Sequence, residues 1–210
     1  MHNIVRLSII LGFITLIAAF VLAEIYNITK PRIEEQKLAK TQEALKYVLP
    51  DAQSLPPVIK KIPVEDSNGN TLYEKEEIVY YKAYSDKQEQ NLIGYAFKAY
   101  GTGYSSNIET MVGIDTTGRI TRIKIISQKE TPGLGALAEN NEPFKGKKWS
   151  TQQFIYKQID DLKVDKDGGT ILSITGATIT SRAITNSIKA KMQELIDELD
   201  IHIQESVEEN

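Results

Sequence analysis

The chain has 210 residues, a net charge of −3, no cysteine and two histidines. Without cysteine there are no disulfides, thiolate nucleophiles, or thiolate zinc or iron–sulfur sites. With only His2 and His202, no Ser-His-Asp or Cys-His constellation and no His-rich metal site can be built. The acidic balance gives no basis for nucleic-acid binding, so redox or group-transfer work would need a bound organic cofactor.

The first element is apolar. Leu7–Ala23 reads LSIILGFITLIAAFVLA and carries no charge. At ~1.5 Å rise per residue its length lies at the lower edge of what a bilayer needs. Ile4 and Val5 extend it, and Arg6 can snorkel to the interface. A transmembrane anchor over residues 1–26 is predicted, making the protein a single-pass resident of the cell membrane in contact with the lipid bilayer. The small residues of VLA at 21–23 leave a cleaved signal peptide as the alternative. Only Arg6 precedes the span, whereas Lys30, Arg32, Lys37 and Lys40 follow it. Counted alone, these basic residues keep the following chain cytoplasmic.

A stalk helix is predicted over residues 27–52. Pro31 fits a first helical turn, Ile33, Leu38, Ala44, Leu45 and Val48 supply an apolar face, and the helix ends before Pro50. Residues 53–70 read as loop, with Pro56, Pro57, Pro63 and the turn signal SNGN at 67–70. Strands are predicted at 78–84, 92–100, 110–115 and 119–127, where aromatic and β-branched residues concentrate. The last two form a hairpin through TTG, with Gly118 in the left-handed conformation. Ile120, Ile123, Ile125 and Ile126 give its second strand apolar faces. Residues 132–150 read as irregular, with Trp149 and Phe154 as core or rim. DKDGG at 165–169 is a turn lacking the ligand spacing of a calcium loop. ILSI at 171–174 is a short strand-like run.

The last segment is a long amphipathic helix, since Ile184, Ile188, Met192, Leu195, Ile196, Leu199 and Ile203 recur at spacings of three and four. The charged tail SVEEN frays. The fold class is α+β: a membrane helix and stalk, then one largely antiparallel domain over residues 53–210, closed by that helix.

Residues 175–181, TGATITS, stand where ILSI meets the last helix. A helix N-terminus presents unpaired N–H groups and the positive end of the macrodipole. Thr178, Thr180 and Ser181 are cap-type residues, and Gly176 lets the backbone approach a ligand closely. The stretch suits a phosphate, and an ordinary capped helix start remains the alternative.

TGATITS resembles the attachment motif of the covalent-FMN-binding family of ion-pumping respiratory complexes, roughly Asp-x-x-Ser/Thr-Gly-Ala-Thr. Two further stretches match the family in order: GTGYSSNIETMVGID at 101–115 and QKETPGLGA at 128–136. The apolar anchor followed by TKPRIEE is similar to the G subunit of the Rnf complex, a ferredoxin–NAD oxidoreductase moving Na+ or H+. The C subunit of the sodium-translocating NADH–quinone reductase is a related alternative. One departure stands out: the family's aspartate falls at Leu172. Its absence leaves open a tethered binding domain that has lost the flavin.

The resemblance implies an electron-relay subunit of an oxidoreductase with FMN attached to Thr178 by a phosphoester, and no catalytic residue or metal ligand of its own. Thr175, Gly176, Ala177, Thr180 and Ser181 would hold the phosphate and the start of the ribityl chain. Glu130, Thr131, Gly133 and Leu134 would lie along the flavin, with Tyr104 and Ser105 as further wall. The implied partners are the other membrane and iron–sulfur subunits of the Rnf complex, and during maturation a flavin transferase using FAD and Mg2+. The implied location of the flavin domain is extracytoplasmic, contrary to the basic-residue count.

Overall fold

The computed structural model describes residues 2–65, 71–143 and 148–199. The chain divides into two compact units, residues 1–42 and 43–210. The first is helical. Helix α1, His2–Val48, runs through Pro31 and ends in the second unit. The segments expected as anchor (1–26) and stalk helix (27–52) share one helix up to Val48, which Pro31 does not break. The segment Ile4–Val48 is long and apolar enough to cross a membrane, and its apolar side chains up to Ile28 are exposed.

The second unit is built on a five-stranded antiparallel meander. Its strands are β1 (Pro57–Glu65), β2 (Thr71–Tyr84), β3 (Leu92–Thr102), β4 (Asn107–Asp115) and β5 (Ile120–Ser127). Each of the four expected strands lies within or overlaps one of β2 to β5. Gly118 takes the expected left-handed turn at φ +79. The first strand is a correction, since the prolines of Pro57–Glu65 suggest loop. It is an edge strand paired on one side only, with Pro57 at its first position, and edges tolerate residues without an N–H. The turn signal at 67–70 lies outside the described residues. ILSI is a second correction. Its Ile171 makes one isolated parallel bridge to Val164 and the run forms no strand.

Alternation along the strands sends side chains to two cores. Phe97, Ala99, Ile108, Val112, Ile114, Ile120, Ile123 and Ile125 face one side. Helix α2, Thr178–Leu199, lies there and contributes Ile184, Ile188, Met192, Leu195 and Ile196, with Leu199 packed at the margin. The expected apolar stripe is thus the buried face; Ile203 and the SVEEN tail lie outside the described residues. Trp149 and Phe154 belong to this core, their rings edge to face at 5.8 Å. Opposite, Ala96 and Met111 meet Ala44, Leu45, Val48 and Leu49, where the α1 end packs on the sheet. Thr121 Oγ1 donates to the Val48 carbonyl at 2.7 Å, satisfying an acceptor that a helix C-terminus leaves open.

Helix α2 is oriented by this packing. Its apolar stripe fixes it to the sheet, and its first turn faces residues 130–135, which lead from β5 into a 3-10 turn at Gly135–Glu139.

Candidate functional site

Gly176 adopts φ +79, a conformation other residues enter only at a cost. It turns the chain into α2, whose first helical residue is Thr178. Ser181 N–H is the first to donate back, to the Ala177 carbonyl at 3.1 Å. The N–H groups of Thr178, Ile179 and Thr180 therefore have no acceptor within the helix, and the positive end of its dipole points with them.

The three cap-type hydroxyls at this end do not share one role. Ser181 is fully buried; its Oγ donates to the Ala177 carbonyl at 3.1 Å and accepts from Ile174 N–H at 2.9 Å. Thr180 is also fully buried, and its Oγ1 donates to Glu130 Oε2 at 2.8 Å. Neither hydroxyl caps the helix; both tie it to neighbouring segments. Thr178 is half-buried and, among the described residues, its hydroxyl has no hydrogen-bond partner.

Thr178 and Thr180 line a cavity of about 520 Å³. Pockets for small molecules and cofactors run roughly 300–1,000 Å³. Of the expected site residues, Tyr104, Glu130, Thr131, Leu134, Gly176 and Ala177 also line it. Thr175, Ser181, Ser105 and Gly133 do not. Thr175 is exposed on the approach to the turn, Ser181 is consumed beneath the helix, and Ser105 meets the site through its backbone. Gly133 makes the left-handed turn of the 130–135 loop at φ +76.

Ile179 and Gly135 complete the lining, and of the two only Ile179 has no signal in the sequence. Ile179 is half exposed beside Thr178, on the side of α2 away from the sheet. Gly135 is buried: a Cβ there would sit 2.7 Å from Glu130 Cβ and 2.8 Å from Thr180 Oγ1. The loop and helix approach this closely only because that position has no side chain.

Glu130 is held by several segments at once. It is 7% exposed, and its carboxylate accepts five hydrogen bonds. They come from the N–H groups of Tyr104 at 3.3 Å, Ser105 at 2.9 Å and Ser106 at 2.9 Å, and from the hydroxyls of Ser106 at 3.1 Å and Thr180 at 2.8 Å. Burial, the largest single influence, pushes the carboxyl up. The bonds from Thr180, Ser105 and Ser106 together outweigh it and hold the group below its ordinary value. One ionised side chain thus joins the 103–106 loop, the 130–135 loop and α2.

A second set of side chains ties down the chain ahead of the helix start. Gln153 brackets Leu172, accepting its N–H at 2.7 Å and donating to its carbonyl at 3.3 Å. The N–H and hydroxyl of Ser173 both donate to Asp165. The Ser173 hydroxyl, ahead of the other influences, holds the Asp165 carboxyl below its ordinary value. Leu172 carries no acid, yet a carboxylate meets its neighbour from the 165–169 turn. Arg182, one turn into α2, clasps Asp167 of the same turn through Nε at 2.8 Å and Nη2 at 2.6 Å. No group of metal-ligating side chains occurs among the described residues.

The Thr178 hydroxyl, the open N–H groups and the cavity together fit a phosphate-bearing ligand. Comparison with known protein families points the same way. Residues 103–193 match the model of the FMN-binding domain, and residues 1–48 that of the RnfG N-terminal region. The G subunit of the ion-translocating oxidoreductase complex of Haemophilus influenzae is 31% identical over 192 residues, covering 88% of this chain and 86% of its own. The G subunit of the Na(+)-translocating ferredoxin:NAD(+) oxidoreductase complex of Acetobacterium woodii is 33% identical over 192 residues, covering 90% and 89%. Among solved structures, Shewanella oneidensis NqrC aligns with a TM-score of 0.47 at 16% identity over 73% of each chain.

Proposed function

The chain belongs to the RnfG family, the G subunits of ion-translocating oxidoreductase complexes, and on that premise we propose that it carries FMN on Thr178 through a phosphoester and relays electrons within a Na+- or H+-translocating ferredoxin–NAD oxidoreductase. The observation that carries this reading is the division of hydroxyls on the first turn of α2. Thr180 and Ser181 are committed to Glu130 and to the backbone, whereas the hydroxyl of Thr178, which lines the cavity, has no partner among the described residues.

Bound FMN supplies one- and two-electron transfer between iron–sulfur donors and two-electron acceptors. The chain's own residues bind and orient. The N–H groups of Thr178, Ile179 and Thr180 receive the phosphate at the positive helix end. Gly176 allows the backbone close, and Leu134, Ile179 and Tyr104 give apolar surface for the ring system. Thr175 and Ser105 border this space without lining it.

The chain does not attach the flavin by itself. A threonine hydroxyl needs a base to act as nucleophile, and the acid on the cavity wall, Glu130, already accepts five hydrogen bonds. A flavin transferase with Mg2+ and FAD provides that step: the Thr178 oxygen bonds to the FMN phosphorus, AMP leaves, and the hydroxyl proton goes to the enzyme's base. Helix α1 anchors the protein in the bilayer, the flavin domain lies on the extracytoplasmic face, and the partners are the membrane and iron–sulfur subunits of the complex.

Replacing Thr178 by valine tests the reading. The side chains have similar shapes, and no hydrogen bond of the described fold is lost. When Thr178→Val is co-expressed with a flavin transferase, the protein's in-gel flavin fluorescence should vanish, with the unfolding midpoint nearly unchanged. Flavin that survives denaturation in this variant would exclude Thr178 as the attachment point.

A further inference from the structure

Glu130 is held in place by more groups than a wall residue needs. Three backbone N–H groups and two hydroxyls converge on it, from the 103–106 loop and from α2. Glu130 lines the cavity, whose lining includes no lysine or arginine among the described residues. Each donor is neutral, so the five bonds spread the negative charge without cancelling it. The same bonds keep the group ionised at neutral pH. Away from bulk water, where charges are weakly screened, such a fixed charge acts strongly on anything bound beside it.

We propose that the Glu130 carboxylate sets the reduction potential of the flavin, holding it low by placing a permanent negative charge against the cavity. The inference rests on the assignment of FMN to this cavity. Reduction adds two electrons to the ring system, and any part of that charge not matched by incoming protons meets the carboxylate already there. The penalty falls on the reduced form and shifts the potential downward. Charge close to the ring is among the levers by which a protein tunes a flavin. Glu130 is a positioning residue in this role: its donors fix where the charge stands, and Gly135 allows the loop bearing it to lie against α2.

The test is a dithionite redox titration of the full flavinylated chain, wild type against Glu130→Gln and Glu130→Asp, at neutral pH. Mass measurement of the attached flavin comes first. A chain without covalent FMN on residues 175–181 would count against the proposed function, whereas the potential speaks only to Glu130. Glutamine keeps the shape and removes the charge, so its midpoint potential should lie above that of wild type. Aspartate keeps the charge at the expense of the contacts, so its potential should stay closer to wild type than that of the glutamine variant. A purely structural role reverses this order, because aspartate disturbs the packing more. A Glu130→Gln potential equal to or below wild type would overturn the proposal. If Glu130→Gln does not retain flavin, Thr131→Lys replaces it, since Thr131 is exposed and lines the same cavity. A cation there should raise the potential, and an unchanged value would overturn the idea that charge on this lining controls it.

Discussion

The cavity corner and the β1–β2 ribbon lie in one unit and are built on opposite terms. At the corner, Glu130, Thr180 and Ser181 are buried and engaged with their neighbours, and the Thr178 hydroxyl has no partner among the described residues. Along the ribbon, β2 leaves β3 beyond the Tyr81–Ala96 pair, and Ile59, Ile62, Leu72 and Tyr73 remain exposed. The ribbon is held by backbone pairing and surface ion pairs such as Lys61–Glu74 at 3.7 Å, which contribute little. The corner is held by a buried polar network, which is costly to leave half satisfied. Rigid geometry is thus concentrated where a cofactor needs it.

Substitutions should separate the two regions. Glu130→Ala leaves donors on two segments without their acceptor, the buried Thr180 hydroxyl among them, and stability measured by chemical denaturation should fall by about 3 kcal/mol. The same contribution can be read without mutation. The Glu130 carboxyl lies lower in the folded chain than its ordinary value of 4.5, so its stabilisation is present above that value and lost as pH falls through the folded one. Acid titration of wild type should therefore show a loss of stability below about pH 4.5 that is smaller in Glu130→Gln. Thr180→Val removes one donor to that carboxylate and should cost about 1.5–2 kcal/mol. Leu72→Ser, on the exposed ribbon, should stay within about 0.5 kcal/mol of wild type. A ribbon variant as damaging as Thr180→Val would break the contrast.

The corner and the ribbon also differ in how far their sequences can be read. Apolar spacing at 184–199 marks the buried face of α2, and the β-branched runs mark the strands of the sheet, because both patterns arise from burial on one side. The ribbon is exposed on both faces, so β1 lacks that pattern and its prolines suggest loop. TGATITS locates the helix start, but its composition cannot show which hydroxyl remains available. That depends on Glu130, 50 residues away in sequence from Thr180. The glycine-rich loop is legible as a place of close approach, but that Gly135 brings Glu130 against Thr180 has no local signal. Leu172, where the covalent-FMN pattern has an acid, is bracketed by Gln153, and Asp165 reaches the next residue; neither contact has a local sequence signal.

The most direct test of the central claim is a peptide mass map of the chain after co-expression with an active flavin transferase. FMN less one water on the peptide bearing residues 175–181, fragmenting at Thr178, is the predicted result. An unmodified peptide, from cells in which the same transferase modifies a control substrate, would contradict it.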